Sequence, residues 1–392
     1  MKTLLFHVNS LLAGGIEKVL IELLSGLDPA KYRIKLSIAH NLGELEILRD
    51  RIPSYVEVYY ILDTPILTNT KKKKVAKNIS LPGKLFEDLV LPPFKKMVHT
   101  KKLKQLIKDV DVIIDFDMTL AGYTHLFANK KTVAYCHFSF NHYWGGSKRK
   151  LDKHAARLSR YSTVVMLCEE MKRNAIELYP SLKDNTIMIY NALDKKNIEA
   201  LANESLGEWQ YLADEQYFLS AGRLAESQKD FTMLIKGYAA CVKKYGAKER
   251  LVIVGAGPSL PDLQALAKLE GVPDAVIFAG YQSNPYKFMK HCSLFLFCSK
   301  FEGLPTVLIE ALSLDRPIIA TATPTGAEEI LMYGKAGILI PPGDVPALCE
   351  AIHHLAHNTE QQKIFKENAQ EILQRFDISY MVKQFENLVI GN

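Results

Sequence analysis

Two glutamates in the second half of the sequence have a spacing that can do chemistry. Glu302 and Glu310 stand eight residues apart in the segment 301–312, which reads FEGLPTVLIEAL and follows an apolar run. Pro305 favours a helix that begins near this point, because the first turn of a helix needs no N–H from that residue. Glu302 is therefore expected in a loop above a strand, and Glu310 within the helix. An anion beside Gly303 would lie near the unpaired N–H groups of that helix.

Two cations follow another predicted strand of the same half. Arg223 ends the run FLSAGR, and Lys229 comes six residues later. The guanidinium fork of arginine and the point charge of lysine both suit phosphate oxygens. Taken alone, two such residues are as often part of a surface ion pair. Together with the two glutamates they favour a site for ribose, a diphosphate and a hexose, which are the parts of a nucleotide sugar.

Glycine-rich turns join a strand to a helix at two places. Gly14 and Gly15 follow the first apolar run, and Gly255 and Gly257 follow a later one. Glycine lets the backbone approach a ligand closely, and the helix that follows favours a phosphate or a polar sugar face. For two adjacent glycines alone, a tight turn without a ligand is the better interpretation. Neither turn completes the G-x-G-x-x-G pattern of dinucleotide-binding proteins. The first turn lacks the spacing, and in the second Leu260 stands where the third glycine belongs.

Short apolar runs alternate with amphipathic helices along the whole chain. Continuous apolar runs of this length are typical of parallel strands that are buried on both faces. The alternation predicts two doubly wound, Rossmann-like α/β domains. The predicted strands cover residues 3–8, 34–39, 56–61, 112–116, 132–136, 164–167 and 187–189 in the first series, and 217–221, 251–254, 276–278, 294–298, 318–320 and 337–340 in the second.

A length of 392 residues also favours two domains. We place an acceptor-side domain at residues 1–200 and a donor-binding domain at residues 201–375. The last helix, 376–392, is expected to pack back on the first domain. No apolar run approaches the roughly 20 residues that span a bilayer. The six cysteines show no C-x-x-C spacing, which argues against a zinc site and a disulfide framework.

The positive charge is concentrated in one segment of the first half. Between Lys71 and Lys108 lie twelve lysines, including the run 71–74, and two acids, Glu87 and Asp88. Leucine, valine and phenylalanine residues are interleaved with the lysines. Such a segment can lie on an anionic membrane surface, and a solvated loop and helix is an equally good interpretation. Nucleic acid is not expected as a partner, because no nucleic-acid-binding motif accompanies the charge.

The segment that contains the glutamates resembles the E-x7-E motif of the retaining glycosyltransferases of family 4. Glu302 and Glu310 match the two acids of this motif, while Arg223 and Lys229 match the pair that binds the diphosphate in the family. The resemblance extends over essentially the whole chain. It implies the GT-B fold, in which two Rossmann-like domains face each other across a cleft. It also implies that Glu302 contacts the donor sugar and that Glu310 binds the ribose hydroxyls.

The same resemblance assigns the remaining site residues. His137 is the expected catalytic histidine near the donor sugar, and Gly15, Gly303, Leu304 and Pro305 are expected at the diphosphate. The weaker candidates are Gly14, Gly255 and Glu329.

The resemblance implies transfer of a hexose or N-acetylhexosamine with retention at the anomeric carbon. The expected donor is a nucleoside-diphosphate sugar, with UDP as its nucleotide, and the expected acceptor is a glycan or a lipid-linked hydroxyl in lipopolysaccharide or capsule biosynthesis. Neither a metal nor a cofactor is expected, because the cations and the helix N-terminus offset the charge of the leaving diphosphate. The expected location is the cytoplasm, at the inner face of the membrane.

Two alternatives remain open at this point. A sugar-nucleotide epimerase of the same fold would bind the same donor but would consume no acceptor. A non-catalytic protein that binds nucleotide sugars or glycans would keep the fold, but the intact charged residues Glu302, Glu310, Arg223 and Lys229 argue against it.

Overall fold

The computed structural model of the protein describes residues 1–12, 14–127, 129–140, 147–323 and 325–391. Its contacts divide the chain into two compact units. Unit 1 comprises Met1–Ala192 and Met381–Asn392, and unit 2 comprises Leu193–Tyr380. The boundary predicted at residue 200 lies within a helix, Lys195–Ala202, that begins at the capping side chain of Asp194.

Unit 1 is built on a parallel sheet of seven strands in the order β3-β2-β1-β4-β5-β6-β7. The central strands are buried on both faces, as their continuous apolar runs require. The strands are β1 Lys2–Val8, β2 Tyr32–His40, β3 Glu57–Leu62, β4 Val112–Asp115, β5 Lys131–Cys136, β6 Thr163–Met166 and β7 Thr186–Met188.

One helical segment of unit 1 runs without interruption from Leu81 to Leu106. It consists of a first helix, a π-helical turn at Phe86–Val90 and a second, longer helix. The helices are α1 Gly15–Gly26, α2 Pro65–Val75, α3 Leu81–Leu85, α4 Leu91–Leu106, α5 Lys148–Leu158 and α6 Glu169–Leu178.

Unit 2 has a parallel sheet of six strands in the order β10-β9-β8-β11-β12-β13. Its strands are β8 Tyr217–Ala221, β9 Arg250–Val254, β10 Val276–Gly280, β11 Leu294–Phe297, β12 Ile318–Thr321 and β13 Ile338–Ile340. Its helices are α7 Lys195–Ala202, α8 Phe231–Tyr245, α9 Leu260–Leu269, α10 Tyr286–His291, α11 Thr306–Ser313, α12 Ala327–Ile330, α13 Val345–Ala356 and α14 Thr359–Leu373. Both sheets confirm the predicted fold of doubly wound, Rossmann-like domains.

The last helix, α15 Ile378–Ile390, contacts the first strand of unit 1. The ring of Phe385 stacks on Phe6 at 5.6 Å between ring centres, and the Nζ of Lys2 donates a hydrogen bond of 3.0 Å to the carbonyl of Val389. The buried side of α15 is formed by Met381, Phe385 and Val389. The apolar spacing of its sequence therefore produces an amphipathic helix that covers the sheet.

All six cysteines are buried, and none of them forms a disulfide bond. No helix within the described ranges combines the length and the apolar character that crossing a bilayer demands.

Candidate active site

Glu302 lies in a short loop at the carboxyl end of β11, as the sequence predicted. The loop leads directly into α11, and Pro305 caps this helix at its N-terminus rather than serving as its first residue. The Glu302 residue is 8% exposed. In a parallel sheet the carboxyl ends of the strands share one edge, so the segments that follow β8, β11 and β12 meet there.

Three side chains donate hydrogen bonds to the Glu302 carboxylate. The Nζ of Lys229 lies 2.6 Å from Oε1, and this ion pair is largely buried, with exposed side-chain fractions of 14% and 9%. The Oγ of Ser299 donates to the same oxygen at 2.5 Å, and the Nε2 of Gln228 donates to Oε2 at 3.0 Å. Both carboxylate oxygens are therefore fixed, and the charge of Glu302 is balanced by one lysine.

Backbone pairing holds the loop of Lys229 beside the loop of Glu302. The N–H of Asp230 donates to the carbonyl of Cys298, and the N–H of Lys300 donates to the carbonyl of Gln228. The Lys229 ammonium also lies 4.5 Å from the ring centre of Phe297. The cation is thus placed by the strand β11 and by the segment before α8, and its position does not depend on the Glu302 contact alone.

Arg223 joins the same group of residues through Gln228. Its Nη2 donates a hydrogen bond of 3.1 Å to the Oε1 of Gln228, while the side chain stays exposed to solvent. Arg223, Gln228, Lys229 and Glu302 therefore form one hydrogen-bonded network at the carboxyl edge of the sheet. The network contains two cations and one carboxylate. Its net charge is therefore positive, which favours the binding of an anion at this edge.

The turn Gly303–Leu304–Pro305 is packed closely against the loop after β12. Gly326 has a φ of +74°, and a Cβ at this position would lie 2.7 Å from the carbonyl oxygen of Gly303. The hydroxyl of Thr325 donates to the carbonyl of Glu302. These contacts fix the backbone at the N-terminus of α11, so its first N–H groups have a defined direction.

Glu310 lies on α11 and is 8% exposed. The hydroxyl of Tyr286, at the start of α10, is 3.5 Å from its Oε1. Glu329 is also 8% exposed and lies on α12, the helix that follows β12. Both carboxylates thus belong to the elements that surround the Glu302 loop.

The weaker candidate Gly255 has a structural role in the loop after β9. It has a φ of +147°, and a Cβ there would lie 1.9 Å from the carbonyl oxygen of Gly222. The N–H of Gly222 donates to the carbonyl of Val254, and that of Leu224 donates to the carbonyl of Ala256. Gly255 therefore permits the close backbone packing that positions the Arg223 turn.

In unit 1, Gly14 and Gly15 form the start of α1. Gly14 is the N-cap, and Gly15 is an exposed first residue with open space around its Cα. The carboxylate of Glu17 folds back over Gly14, where a Cβ would lie 2.2 Å from its Oε2. Burial and the nearby charge of Asp117 raise the pKa of Glu17 to about 7.

His137 follows β5 and is half-buried in the same unit. Its ring lies 4.9 Å from that of Phe116, and its Nε2 has no hydrogen-bond partner among the described residues. Burial lowers the pKa of His137 to about 4, so the imidazole is neutral at pH 7. A neutral imidazole can donate or accept a hydrogen bond at Nε2, depending on its tautomer.

Sequence reasoning missed the neutral residues that contact the two glutamates, Gln228 and Ser299 at Glu302 and Tyr286 at Glu310. Gln228 directly precedes Lys229, and Ser299 precedes Glu302 by three residues. Polar residues beside a predicted site residue at a strand end were the available signal. Tyr286 is remote from Glu310 in sequence, and only the fold brings the two side chains together.

Comparison with known proteins relates this site to one family. Residues 207–372 match the sequence model of the glycosyl transferases of group 1. An uncharacterized glycosyltransferase of Methanocaldococcus jannaschii is 31% identical over 265 residues, which cover 59% of this chain and 64% of that protein. The N-acetylgalactosamine-N,N'-diacetylbacillosaminyl-diphospho-undecaprenol 4-alpha-N-acetylgalactosaminyltransferase of Campylobacter jejuni is 30% identical over 190 residues, which cover 48% of this chain and 49% of that protein. The matches thus span 49% and 64% of the length of these relatives, which is less than two thirds in both cases.

Solved structures agree with the fold over the full chain. The structure of Anabaena HepE in complex with UDP-glucose covers 100% of both chains with a TM-score of 0.78 and 20% sequence identity. This likeness confirms the predicted GT-B fold, with its two Rossmann-like domains. The family match covers the unit that holds Arg223, Lys229, Glu302 and Glu310. The match to the glycosyl transferases of group 1 thus covers residues 207–372, most of unit 2, and the likeness to HepE gives the fold of the whole chain.

Proposed function

We propose that the protein transfers a hexose or N-acetylhexosamine from a nucleoside-diphosphate sugar to a hydroxyl group of a glycan or lipid-linked acceptor. The observation that carries the proposal is the network of Arg223, Gln228, Lys229 and Glu302 at the carboxyl edge of unit 2. Two cations that are already oriented by neighbouring groups stabilise the charge that develops on a leaving diphosphate.

Each polar group at this edge has a proposed part in binding the donor. Arg223, Lys229 and the N-terminus of α11 at Gly303–Leu304–Pro305 bind the diphosphate. Glu310 accepts hydrogen bonds from the ribose hydroxyls, since the two oxygens of a carboxylate can accept from both hydroxyls of a diol. Glu302 binds the hydroxyls of the transferred sugar. Lys229 links the diphosphate site to the site of the transferred sugar, because its ammonium contacts Glu302 directly.

The finer features of the reaction are proposals that rest on the family resemblance. We propose retention at the anomeric carbon, with the leaving phosphate accepting the proton of the acceptor hydroxyl. We propose that the cations and the helix N-terminus take the part that a divalent metal has in other transferases. The assignments of His137 to the donor sugar and of Gly15 to the phosphate are proposals of the same kind.

The proposed donor nucleotide is UDP, and the proposed setting is cell-surface polysaccharide or lipopolysaccharide biosynthesis. The solved HepE structure contains UDP-glucose, and the Campylobacter relative is named for an acceptor on diphospho-undecaprenol. These likenesses support a UDP-sugar and a lipid-linked acceptor here. A lipid-linked acceptor would bring the protein to the inner face of the cytoplasmic membrane.

Calorimetric titration with UDP tests the donor site. The wild-type protein should bind UDP, and Arg223→Ala should weaken binding about tenfold or more, because a charged hydrogen bond contributes about 1.5–3 kcal/mol. Arg375→Ala is the matched control, since Arg375 is an exposed arginine of the same unit that follows α14 and pairs with Glu371 of that helix. Equal affinities for all three proteins would contradict the proposed site.

Product analysis separates transfer from its alternatives. With a UDP-sugar and an acceptor glycan, a transferase releases UDP only as the glycosylated product accumulates. An epimerase would change the sugar without an acceptor, and a binding protein would release nothing. Either of these results would overturn the proposed activity while leaving the donor site intact.

A further inference from the structure

The segment Leu81–Leu106 presents an exposed apolar surface that the donor site does not explain. Large apolar side chains lie on the outside of α3, the π-helical turn and α4 instead of in a core. The exposed fractions are 71% for Leu81, 51% for Leu85, 39% for Phe86, 71% for Leu89, 45% for Val90, 55% for Phe94 and 64% for Met97. We call these seven residues, with Lys96, Lys101 and Lys104, the α3–α4 face.

A cluster of large exposed apolar residues in one segment is a mark of a binding surface, because isolated exposed residues are the rule elsewhere. The inner side of α4 is anchored to unit 1 by buried residues, Leu91, His99 and Leu103. The outward direction of Leu89, Phe94 and Met97 is therefore set by the fold.

Lysines border this apolar surface. Lys96, Lys101 and Lys104 are exposed, and none of them forms an ion pair with a side chain in the described ranges. With Pro93, Met97 and Thr100 they line a shallow groove along α4. The groove therefore combines positive charge with apolar contacts, the composition that suits an anionic lipid surface.

Several other lysines of the basic segment lie beside acids of unit 1. Lys74 pairs with Asp88 at 2.6 Å, and Lys95 pairs with Glu87 at 2.6 Å in a buried ion pair. Lys71 is half-buried beside the same acids. Lys71 and Lys74 of the run 71–74 thus lie beside acids of the protein. Lys96, Lys101 and Lys104 of α4 have no such partner within the described ranges.

The dimensions of the α3–α4 face suit a helix that lies on a bilayer. From Leu81 to Lys104 the segment is about 35 Å long at 1.5 Å per residue. Its lysines and its buried side make it unfit to span the hydrocarbon, and a helix with one apolar side and a basic border binds in the plane of the headgroups.

We propose that the α3–α4 face docks on the surface of a bilayer that contains anionic lipids. This proposal rests on the proposed function, because a lipid-linked acceptor is reached from such a position. A second copy of the chain fits the face less well, since pairing two identical faces would bring lysines against lysines without acids between them. Lys96, Lys101 and Lys104 contact the headgroups, and Leu89, Phe94 and Met97 enter the boundary of the acyl chains.

Co-flotation of the full-length protein with vesicles tests the charged part of the face. The wild type should bind vesicles of phosphatidylglycerol and phosphatidylcholine, and bind pure phosphatidylcholine much less. The triple substitution Lys96→Gln, Lys101→Gln and Lys104→Gln should lower the partition coefficient roughly a hundredfold, since each lysine near an anionic surface contributes about a fivefold factor. The matched control replaces three exposed lysines of unit 2, Lys243, Lys248 and Lys268, by glutamine, and it should bind like the wild type.

A second pair of variants tests the apolar part. Leu89→Ser with Phe94→Ser should lower vesicle binding at least tenfold, and their exposure in the fold means that circular dichroism should show no loss of structure. Leu269→Ser changes an equally exposed leucine of unit 2, 82% accessible, and should have no effect.

Unchanged flotation of the lysine triple, or equal loss in the unit 2 control, would overturn the proposal. Sedimentation could instead show a wild-type dimer that Leu89→Ser with Phe94→Ser dissociates. If the wild type also binds no vesicles, this result would identify a second copy of the chain as the occupant of the face. Titration with UDP on the same variants keeps the two proposals apart. Normal UDP binding with no vesicle binding refutes docking alone, and vesicle binding without UDP binding refutes the donor site alone.

Discussion

At the scale of single residues, the Glu302 carboxylate is the shared hydrogen-bond acceptor of the network at the donor site. Lys229, Gln228 and Ser299 all donate to it, so a change of its charge leaves the packing in place but alters the electrostatics. We expect Glu302→Gln to slow transfer by about 10²–10³-fold, the usual effect of removing one oriented polar group from an active site. The affinity for UDP should stay the same or rise, because Lys229 loses the carboxylate that competes with the diphosphate.

Initial rates at saturating UDP-sugar, together with calorimetric UDP binding, measure the two effects separately. Glu350→Gln is a suitable control, because Glu350 is a glutamate of the same unit that pairs with Lys244 at 2.6 Å on the surface. A parallel loss of UDP affinity and rate in Glu302→Gln would mean that the carboxylate organises the loop and does not act on the sugar.

Gly15 permits a second test at this scale, because the fold itself does not require glycine there. It is the first residue of α1, and nothing lies within 4 Å of a Cβ at this position. Gly15→Ala should therefore leave the free energy of unfolding unchanged or raise it by up to about 1 kcal/mol. If the backbone contacts the donor phosphate, the methyl group should lower the transfer rate.

Urea unfolding and transfer rates of Gly15→Ala give both quantities. The control is Gly122→Ala, another glycine of unit 1 with open space around its Cα. Equal activity of Gly15→Ala and the wild type would remove Gly15 from the proposed site.

At the scale of secondary-structure elements, buried histidines join α4 to the sheet of unit 1. His99 of α4 stacks on Tyr123 at 4.5 Å between ring centres and lies 5.4 Å from the ring of His7 on β1. Burial lowers the pKa of His99 to about 4 and holds that of His7 well below its usual value. Each ring is thus neutral in the folded protein at pH 7, and no described residue is positioned to pair with the Nε2 of either ring.

This arrangement predicts that acidification weakens the attachment of α4. A histidine with a lowered pKa in the fold contributes stability that is present above pH 6.5 and is lost as the pH falls toward 4. Each pKa unit corresponds to about 1.4 kcal/mol, so His99 accounts for up to about 3 kcal/mol at the acidic end. The wild type should therefore lose more stability than His99→Phe between pH 6.5 and pH 4.5 in urea unfolding followed by circular dichroism.

The comparison with His99→Phe isolates one group, which matters because others titrate in the same range with the opposite sign. Glu17 has a pKa raised to about 7, so its protonation stabilises the fold as the pH falls. Equal pH dependence of the wild type and His99→Phe would show that the histidine is not held neutral.

Strands and most helices could be predicted because each follows from local sequence. The run Phe218–Ala221 is apolar and β-favouring, and it forms part of β8. The helix predicted at 376–392 is found as α15 at Ile378–Ile390, since its apolar spacing marks one buried side. The π-helical turn at Phe86–Val90 could not be predicted, because it depends on how α3 and α4 pack and not on residue preference.

The charged residues of the site could be named from sequence, whereas their contacts could not. Arg223, Lys229 and Glu302 follow strands that lie side by side in the sheet, and the strand order is a property of the topology. The direct Lys229–Glu302 ion pair was not expected, because the sequence assigned Lys229 to the diphosphate and Glu302 to the donor sugar. The close approach of Gly255 to Gly222 is likewise fixed by the packing of two loops that are remote in sequence.

At the scale of the whole molecule, each unit has a sheet and a core of its own. The core of unit 2 joins β8, β9 and β11 to α8 and α13, with residues such as Phe218, Leu234, Leu296 and Leu348 fully buried. In unit 1, smaller clusters lie around Ile113 and Ile61. A parallel sheet covered on both faces can fold without its neighbour. Unfolding should therefore occur in two steps when the units differ in stability.

This independence makes the location of the donor site visible in a melting experiment. UDP that binds unit 2 stabilises that unit by about 2.7 kcal/mol at a concentration of 100 times the dissociation constant. For a domain of this size, about 2–4 °C per kcal/mol gives a rise of roughly 5–10 °C in one of the two melting transitions.

Differential scanning calorimetry with and without UDP should show one shifted and one unshifted transition. Arg223→Ala should reduce the shift by about half or more, because tenfold weaker binding lowers the stabilisation at the same UDP concentration to about 1.4 kcal/mol. It should leave both transitions of the free protein in place, since its side chain is exposed and bonds only to Gln228 among the described residues. His99→Phe should move the other transition, the one that UDP leaves alone, because its ring is buried in unit 1. If UDP instead shifts the transition that His99→Phe moves, the nucleotide is bound by unit 1, and the charged edge of unit 2 is not its site.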